Sequence, residues 1–261
     1  MDFVGWLVTS TAVLLIGLSK TGFGPGAGVL ATPLVALIMS ADQAIGVLLP
    51  VLCVCDLFSI YFYRNTWNRR ALFSLLPGAI VGIAVGGGFL AVGMTSERVL
   101  KTGIGIIALL FVAYQTIRSQ ISASMEAYKP KKWHGWLSGL AAGFTSTVAH
   151  AGGPPVVIYL LPQQLGRALF VGTTVFFFAV VNYVKLIPYG SLGLLNVGNL
   201  SISLVLLPLV PVGTALGYWL NQHMTDRIFN TIIYILLFLM GLKYTFGIDI
   251  GMILRGVGLG A

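Results

Sequence analysis

Long apolar runs recur from one end of the chain to the other, and two of them are broken in the middle by glycine and proline. The first broken run is Gly17–Met39, GLSKTGFGPGAGVLATPLVALIM, and the second is Gly139–Leu161, GLAAGFTSTVAHAGGPPVVIYLL. In each, a glycine is followed by a proline sixteen residues later, Gly17 to Pro33 and Gly139 to Pro155. Three unbroken runs follow the first break, at about 44–63, 71–92 and 99–117; three follow the second, at about 168–187, 200–220 and 228–246. A helix that crosses the hydrocarbon core needs about 20 apolar residues, so each unbroken run predicts one spanning helix. An outer-membrane barrel would show short alternating strands instead. The expected fold is all-α, a polytopic helical membrane protein.

The order of elements restarts midway, which divides the chain into a first repeat at 1–117, a linker at 118–133 and a second repeat at 134–261. Met94-Thr-Ser-Glu-Arg opens the last run of the first half and Met224-Thr-Asp-Arg the last run of the second. Gly82 and Gly86 correspond to Gly213 and Gly217, pairs spaced four apart that let helices pack closely in lipid. Basic loops stay on the cytoplasmic side. That rule places the linker and the Arg64, Arg69, Arg70 loop inside, and Ser40–Gln43 and Gly93–Glu97 outside. An inverted second half then puts Arg167 and the 221–227 loop inside and the uncharged 188–199 stretch outside. Inversion requires an odd number of crossings per half. Each broken run is therefore expected to be a hairpin that enters and leaves on one side, followed by three spanning helices.

Composition agrees with a membrane chain. Charged residues make up 8% of it and hydrophobic ones 57%, with a mean hydropathy of +0.94, against about 25% charged residues in a soluble domain. The net charge of +8 is accounted for by orienting loops, including the Lys129, Lys131, Lys132 cluster, and no nucleic-acid partner is expected. The N-terminus has neither a basic leader nor a small-residue cleavage site, and reads as a retained helix. Cys53 and Cys55 lie two apart in one apolar run and point to different faces, so no disulfide between them is expected.

Candidate chemistry concentrates at the breaks. The run Gly22-Phe-Gly-Pro-Gly-Ala-Gly28 cannot be a helix interior, because glycine costs about 1 kcal/mol there and proline about 3. Opened backbone at membrane depth is tolerated where it is buried or lines a cavity, and it presents N–H groups to an anion. Gly24, Gly26 and Gly28 are the candidate cradle, with Lys20 just before them. The second break supplies Thr145, Ser146, Thr147 and His150, then Gly152, Gly153, Pro154 and Pro155. Lys185 is a second intramembrane cation, with Asn182 one turn before it; Pro188 marks the approaching helix end and leaves snorkelling open. Asp56 is the acid within an apolar run, either a proton carrier or the partner of a lysine, and an ion pair is favoured. Histidine as a residue type titrates near neutral pH, which makes His150 a second candidate for proton coupling. The three histidines have no ligand spacing, so neither a metal nor another cofactor is expected. Ser146 and His150 lie four apart, which leaves intramembrane hydrolysis as an alternative, but Gly-x-Ser-x-Gly is missing and no catalytic residue is assigned.

These motifs resemble the TauE/SafE family of sulfite and organosulfonate exporters. The resemblance rests on Gly17–Pro33 with Ala44-Ile-Gly46 after it, and on Gly139–Pro155 with Ala168 and Gly172 after it. It covers nearly the whole chain and implies an inner-membrane carrier of a small anion such as sulfite or sulfoacetate, commonly in the export direction. Residues read as binding the anion are Lys20, Gly24, Gly26, Gly28, Ser146, Thr147, His150, Gly152 and Lys185, with Asp56 and His150 as coupling groups. A carrier of another organic anion and an anion channel remain alternatives.

Overall fold

A computed structural model describes residues 1–20, 27–93, 96–121, 130–223 and 226–248. Gly24, Gly26 and residues 122–129 of the linker, Lys129 among them, lie outside the described residues. Among the described residues every regular element is helical. The first half holds α1 (Phe3–Leu18), α2 (Ala31–Val35), α3 (Ala41–Tyr63), α4 (Arg69–Gly93) and α5 (Glu97–Ile121). The second holds α6 (Lys132–Ala149), α7 (Gly153–Leu160), α8 (Arg167–Ser191), α9 (Val197–Leu206), α10 (Leu209–His223) and α11 (Asp226–Phe246). Among the described residues four helices are each long and apolar enough to cross a membrane, and α9 with α10 makes a fifth candidate span bent by 50°.

Burial is distributed as a bilayer requires. Val99, Ile106, Leu110 and Ile117 form an exposed apolar stripe on α5, whereas Asp56, Asn182 and Lys185 are buried. Two expectations are corrected. The run at 200–220 is not one straight helix, because the chain bends between Leu206 and Leu209 at Pro208, and proline cannot complete the helical ladder. At Pro188 the opposite happens: α8 runs through it to Ser191, and Lys185, fully buried, does not snorkel. Helices α5 and α6 also encroach on the linker, to Ile121 and from Lys132.

Both broken runs fold back on themselves. In the first, Gly5 near the start of α1 lies against Ile38 beyond the end of α2. In the second, Gly135 at the start of α6 lies against Ser74 of α4 and against Tyr159 near the end of α7. Each hairpin is clamped to a helix of the other half through glycine. A Cβ on Gly78 or Gly82 of α4 would run into the Trp136 or Leu140 carbonyl of α6, and one on Gly139 or Gly143 into the Leu75 or Ala79 carbonyl of α4. In the matching place, a Cβ on Gly17 of α1 would lie 2.7 Å from the Gly213 carbonyl carbon of α10.

Helices α3 and α8 cross antiparallel at the centre. Gly172, early in α8, abuts the Thr66 carbonyl beyond the end of α3, and Gly46, early in α3, abuts the Leu194 carbonyl beyond the end of α8. The two loops repeat each other in detail. Asn68 Oδ1 accepts from the Ala71 N–H at 3.0 Å to cap α4, and Asn196 Oδ1 accepts from the Asn199 N–H at 2.9 Å to cap α9. Cap residues of this type are each worth about 1 kcal/mol.

If the glycine seam holds the second hairpin in place, Gly82→Ala should lower stability by about 1–3 kcal/mol through overpacking. Gly88→Ala on the same helix meets nothing within 4 Å and should be neutral or stabilising by up to about 1 kcal/mol. Thermal unfolding in detergent separates the two; equal midpoints would remove the seam from the account.

Candidate functional site

The two hairpin tips and the middles of α3 and α8 enclose a cavity of about 50 Å³. The first hairpin contributes Ser19, Lys20 and Gly28, and the second Ser146, His150 and Gly153; Leu52, Phe178 and Asn182 close the sides. The breaks place these groups. Ser19 Oγ accepts from the Gly28 N–H at 2.9 Å and so ties the two arms of the first tip together. His150 ends α6 in the left-handed conformation, with φ 52°. That conformation costs a non-glycine residue about 1–2 kcal/mol, and here it turns the imidazole toward α3 and α8.

Three charged side chains are arranged around the cavity in two groups. Lys20 forms an ion pair with Asp56 Oδ1, and its Nζ also donates to Leu52 O at 3.2 Å. Asn182 Nδ2 donates to the other carboxylate oxygen, Asp56 Oδ2, at 2.7 Å. In the second group, Lys185 Nζ reaches Ser146 O at 3.1 Å, Ser146 Oγ at 3.0 Å and His150 Nδ1 at 2.9 Å. Three acceptors match the three donors of an ammonium. Since His150 Nδ1 accepts from Lys185, Nε2 carries the ring proton and donates to Ile45 O at 3.0 Å. Among the described residues Lys185 has no carboxylate partner.

The site therefore holds Lys20, Asp56 and Lys185, one cation more than anions. Lys185 does not line the cavity; it stands behind Ser146 and His150, which do. Because Ser146 Oγ accepts from Lys185, its own O–H proton is left to donate into the cavity. Both His150 nitrogens are engaged, so the Ser146–His150 pair considered for hydrolysis does not form.

The expected residues fall into three sets. Lys20, Gly28, Ser146 and His150 line the cavity, with Asp56 and Lys185 immediately behind. The Gly28 N–H is already given to Ser19, so it acts in holding the tip. Thr147 and Gly152 are drawn away. Thr147 Oγ1 donates back to Gly143 O at 2.8 Å, while a Cβ on Gly152 would meet Ser146 Cβ and Phe178 at 3.0 Å each, so glycine permits close packing there. Gly24 and Gly26 lie outside the described residues. Pro154 and Pro155 carry no N–H, which leaves Gly153 as the donor among the first three positions of α7.

Sequence reasoning missed Ser19 and the true partner of Asn182, and named Gly153 without giving it a binding role. The partner of Asn182 was within reach. Gly46 and Gly172 hold equivalent positions and lie 126 residues apart, and the same offset carries Asp56 onto Asn182.

Fold and site together define an integral membrane protein built around a buried, charged cavity. The chain belongs to the sulfite exporter TauE/SafE family, whose family model matches residues 10–244 and so includes both hairpin breaks and every residue of the site. No curated protein and no solved structure matches the chain.

Removing one member of a buried ion pair costs about 3–5 kcal/mol, because the other is left uncompensated. Asp56→Asn and Lys20→Met should each destabilise by that order, and the double variant should recover most of the loss. A double-mutant cycle by thermal unfolding measures the coupling, and strictly additive losses would show that the pair is not energetically linked.

Proposed function

We propose that the chain is a secondary transporter of the cell inner membrane that exports a small sulfur oxyanion, sulfite in its singly charged hydrogensulfite form foremost, by alternating access. The observation that carries this reading is Lys185: a fully buried ammonium with neutral partners beside a cavity it does not enter. A monoanion in the cavity balances that charge, taking hydrogen bonds from Ser146 O–H and Gly153 N–H.

Size favours the smallest members of the class. A water needs about 10–15 Å³ on the same measure, so a cavity of about 50 Å³ takes an anion of about four heavy atoms. Sulfite has that size; sulfoacetate needs the tips to part. Asp56 is the coupling group in this reading. Its carboxylate occupies Lys20 as an internal anion, and a proton on Asp56 frees Lys20 to face the incoming substrate. His150, with both nitrogens engaged, serves instead to orient Lys185 and Ser146.

The two halves form inverted repeats in this account, supported by the antiparallel crossing of α3 and α8 and by the twin loops at 66–71 and 194–199. Each hairpin is clamped to a helix of the other half, the second to α4 and the first to α10. The moving bodies therefore combine elements of both halves. Alternating access of this kind turns on a fixed site at the repeat interface.

A thermal-shift panel of sulfite, sulfoacetate, taurine, sulfate and acetate tests the reading, since a ligand bound at 100 times its Kd stabilises by about 2.7 kcal/mol. Sulfite should shift the midpoint most, and a shift by acetate alone would move the chain to carboxylates. In proteoliposomes, Lys185→Met should weaken sulfite uptake about tenfold to a hundredfold, the range for a lost charge-assisted interaction, while inserting normally. Asp56→Asn should leave flux that no longer responds to a pH gradient; undiminished response would remove Asp56 from coupling.

A further inference from the structure

At the basic end of the molecule, away from the cavity, α4 and α6 open into a groove of about 420 Å³ lined by Arg70, Phe73, Ser74, Lys132, Trp133 and Trp136. Both cations in it are exposed, and among the described residues neither has an acidic partner. The hydroxyl of Ser74 is turned back to Arg70 O at 2.8 Å, so Arg70 and Lys132 supply the groove's charge. Its walls are aromatic and open to the outside: Phe73 is 64% exposed and Trp133 57%. From Phe73 the exposed strip continues down α4 to Ile80 and Val81, and from Trp136 to Leu137 on α6.

We propose that this groove is a binding site for an anionic phospholipid, with the headgroup phosphate held between Arg70 and Lys132 and an acyl chain lying along the Phe73–Ile80 strip. Charge complementarity selects an anion, and the continuous apolar strip selects one that carries a hydrocarbon tail rather than free phosphate. Tryptophan marks the headgroup level of a bilayer, and basic pockets between spanning helices suit anionic headgroups. The position has a consequence. Trp136 and Ser74 of the groove are the residues that Gly78 and Gly135 meet at the α4–α6 seam, so a lipid seated there bridges the first half to the second hairpin from outside.

Native mass spectrometry of the full chain in detergent, with phosphatidylglycerol and phosphatidylcholine offered together, tests the site. Two basic contacts near an anionic headgroup correspond to about a 25-fold preference for phosphatidylglycerol. The Arg70→Gln/Lys132→Gln double variant should lose that preference while keeping its thermal midpoint. Quenching by brominated phosphatidylglycerol gives a second readout: it should fall in the Trp133→Phe/Trp136→Phe variant, and millimolar inorganic phosphate should not relieve it. Equal retention of both lipids, a preference that survives the double variant, or displacement by phosphate alone would overturn the proposal.

Discussion

A bilayer interior has no water with which to answer a charge, and the arrangement of this molecule follows from answering three of them. Lys20 leaves the first hairpin at membrane depth and finds Asp56 on α3. Asp56 needs a second donor and finds Asn182 on α8. Lys185, one turn further along α8, finds the Ser146 carbonyl and hydroxyl and the His150 ring at the second tip. These bonds join both hairpins to the central α3–α8 crossing. Uncompensated charge at such depth costs several kcal/mol per ion, so the tips hold their register because the alternative positions leave an ion bare.

Glycine makes this possible by another route. The hairpins reach the centre only because α6 lies against α4 and α1 against α10 at backbone distance, with carbonyls where Cβ atoms would otherwise stand. In lipid, association of helices depends on such close packing, since the hydrophobic effect does not drive it. Electrostatics at the tips and small residues along the arms thus act on the same elements at different heights. One fixes where each hairpin ends; the other fixes what it leans on.

Much of this was legible in the sequence, for reasons that differ by element. The breaks were visible because glycine and proline are costly in a helix interior, so neither Gly22–Gly28 nor Gly152–Pro155 could be the interior of one continuous helix; in the second break α6 ends at Ala149 and a new helix starts at Gly153. The Lys–Asp pair was expected, because an acid in an apolar run needs an answering cation; which lysine it would be was not. Asn182 read as a companion of Lys185 on helical spacing alone, yet it turns to Asp56, since residues three apart on one helix can address different neighbours. Thr147 shows the opposite limit. Its hydroxyl returns to its own helix at Gly143 O, an option open to any helical threonine, so hydroxyl-rich composition overstates how many side chains face the cavity. The bend at Pro208 and the unbroken passage of α8 through Pro188 carry the same lesson: proline fixes its own φ, but the packing around it decides whether the helix resumes.

The most consequential correspondence is between Asp56 and Asn182. They occupy equivalent positions in the two halves and bond to each other across the α3–α8 crossing. A symmetric pair of aspartates there would place two like charges together at membrane depth, and a pair of asparagines would leave Lys20 without a counter-ion. Keeping the acid in one half and its neutral isostere in the other answers Lys20 while giving the second carboxylate oxygen a donor. In the proposed repeat, the two halves supply similar scaffolds, but the charge at the centre works only because position 56 is an acid and position 182 its neutral isostere. The proposed transport site therefore rests on that asymmetry, with Lys20 and Asp56 on one side of the crossing and Ser146, His150 and Lys185 on the other.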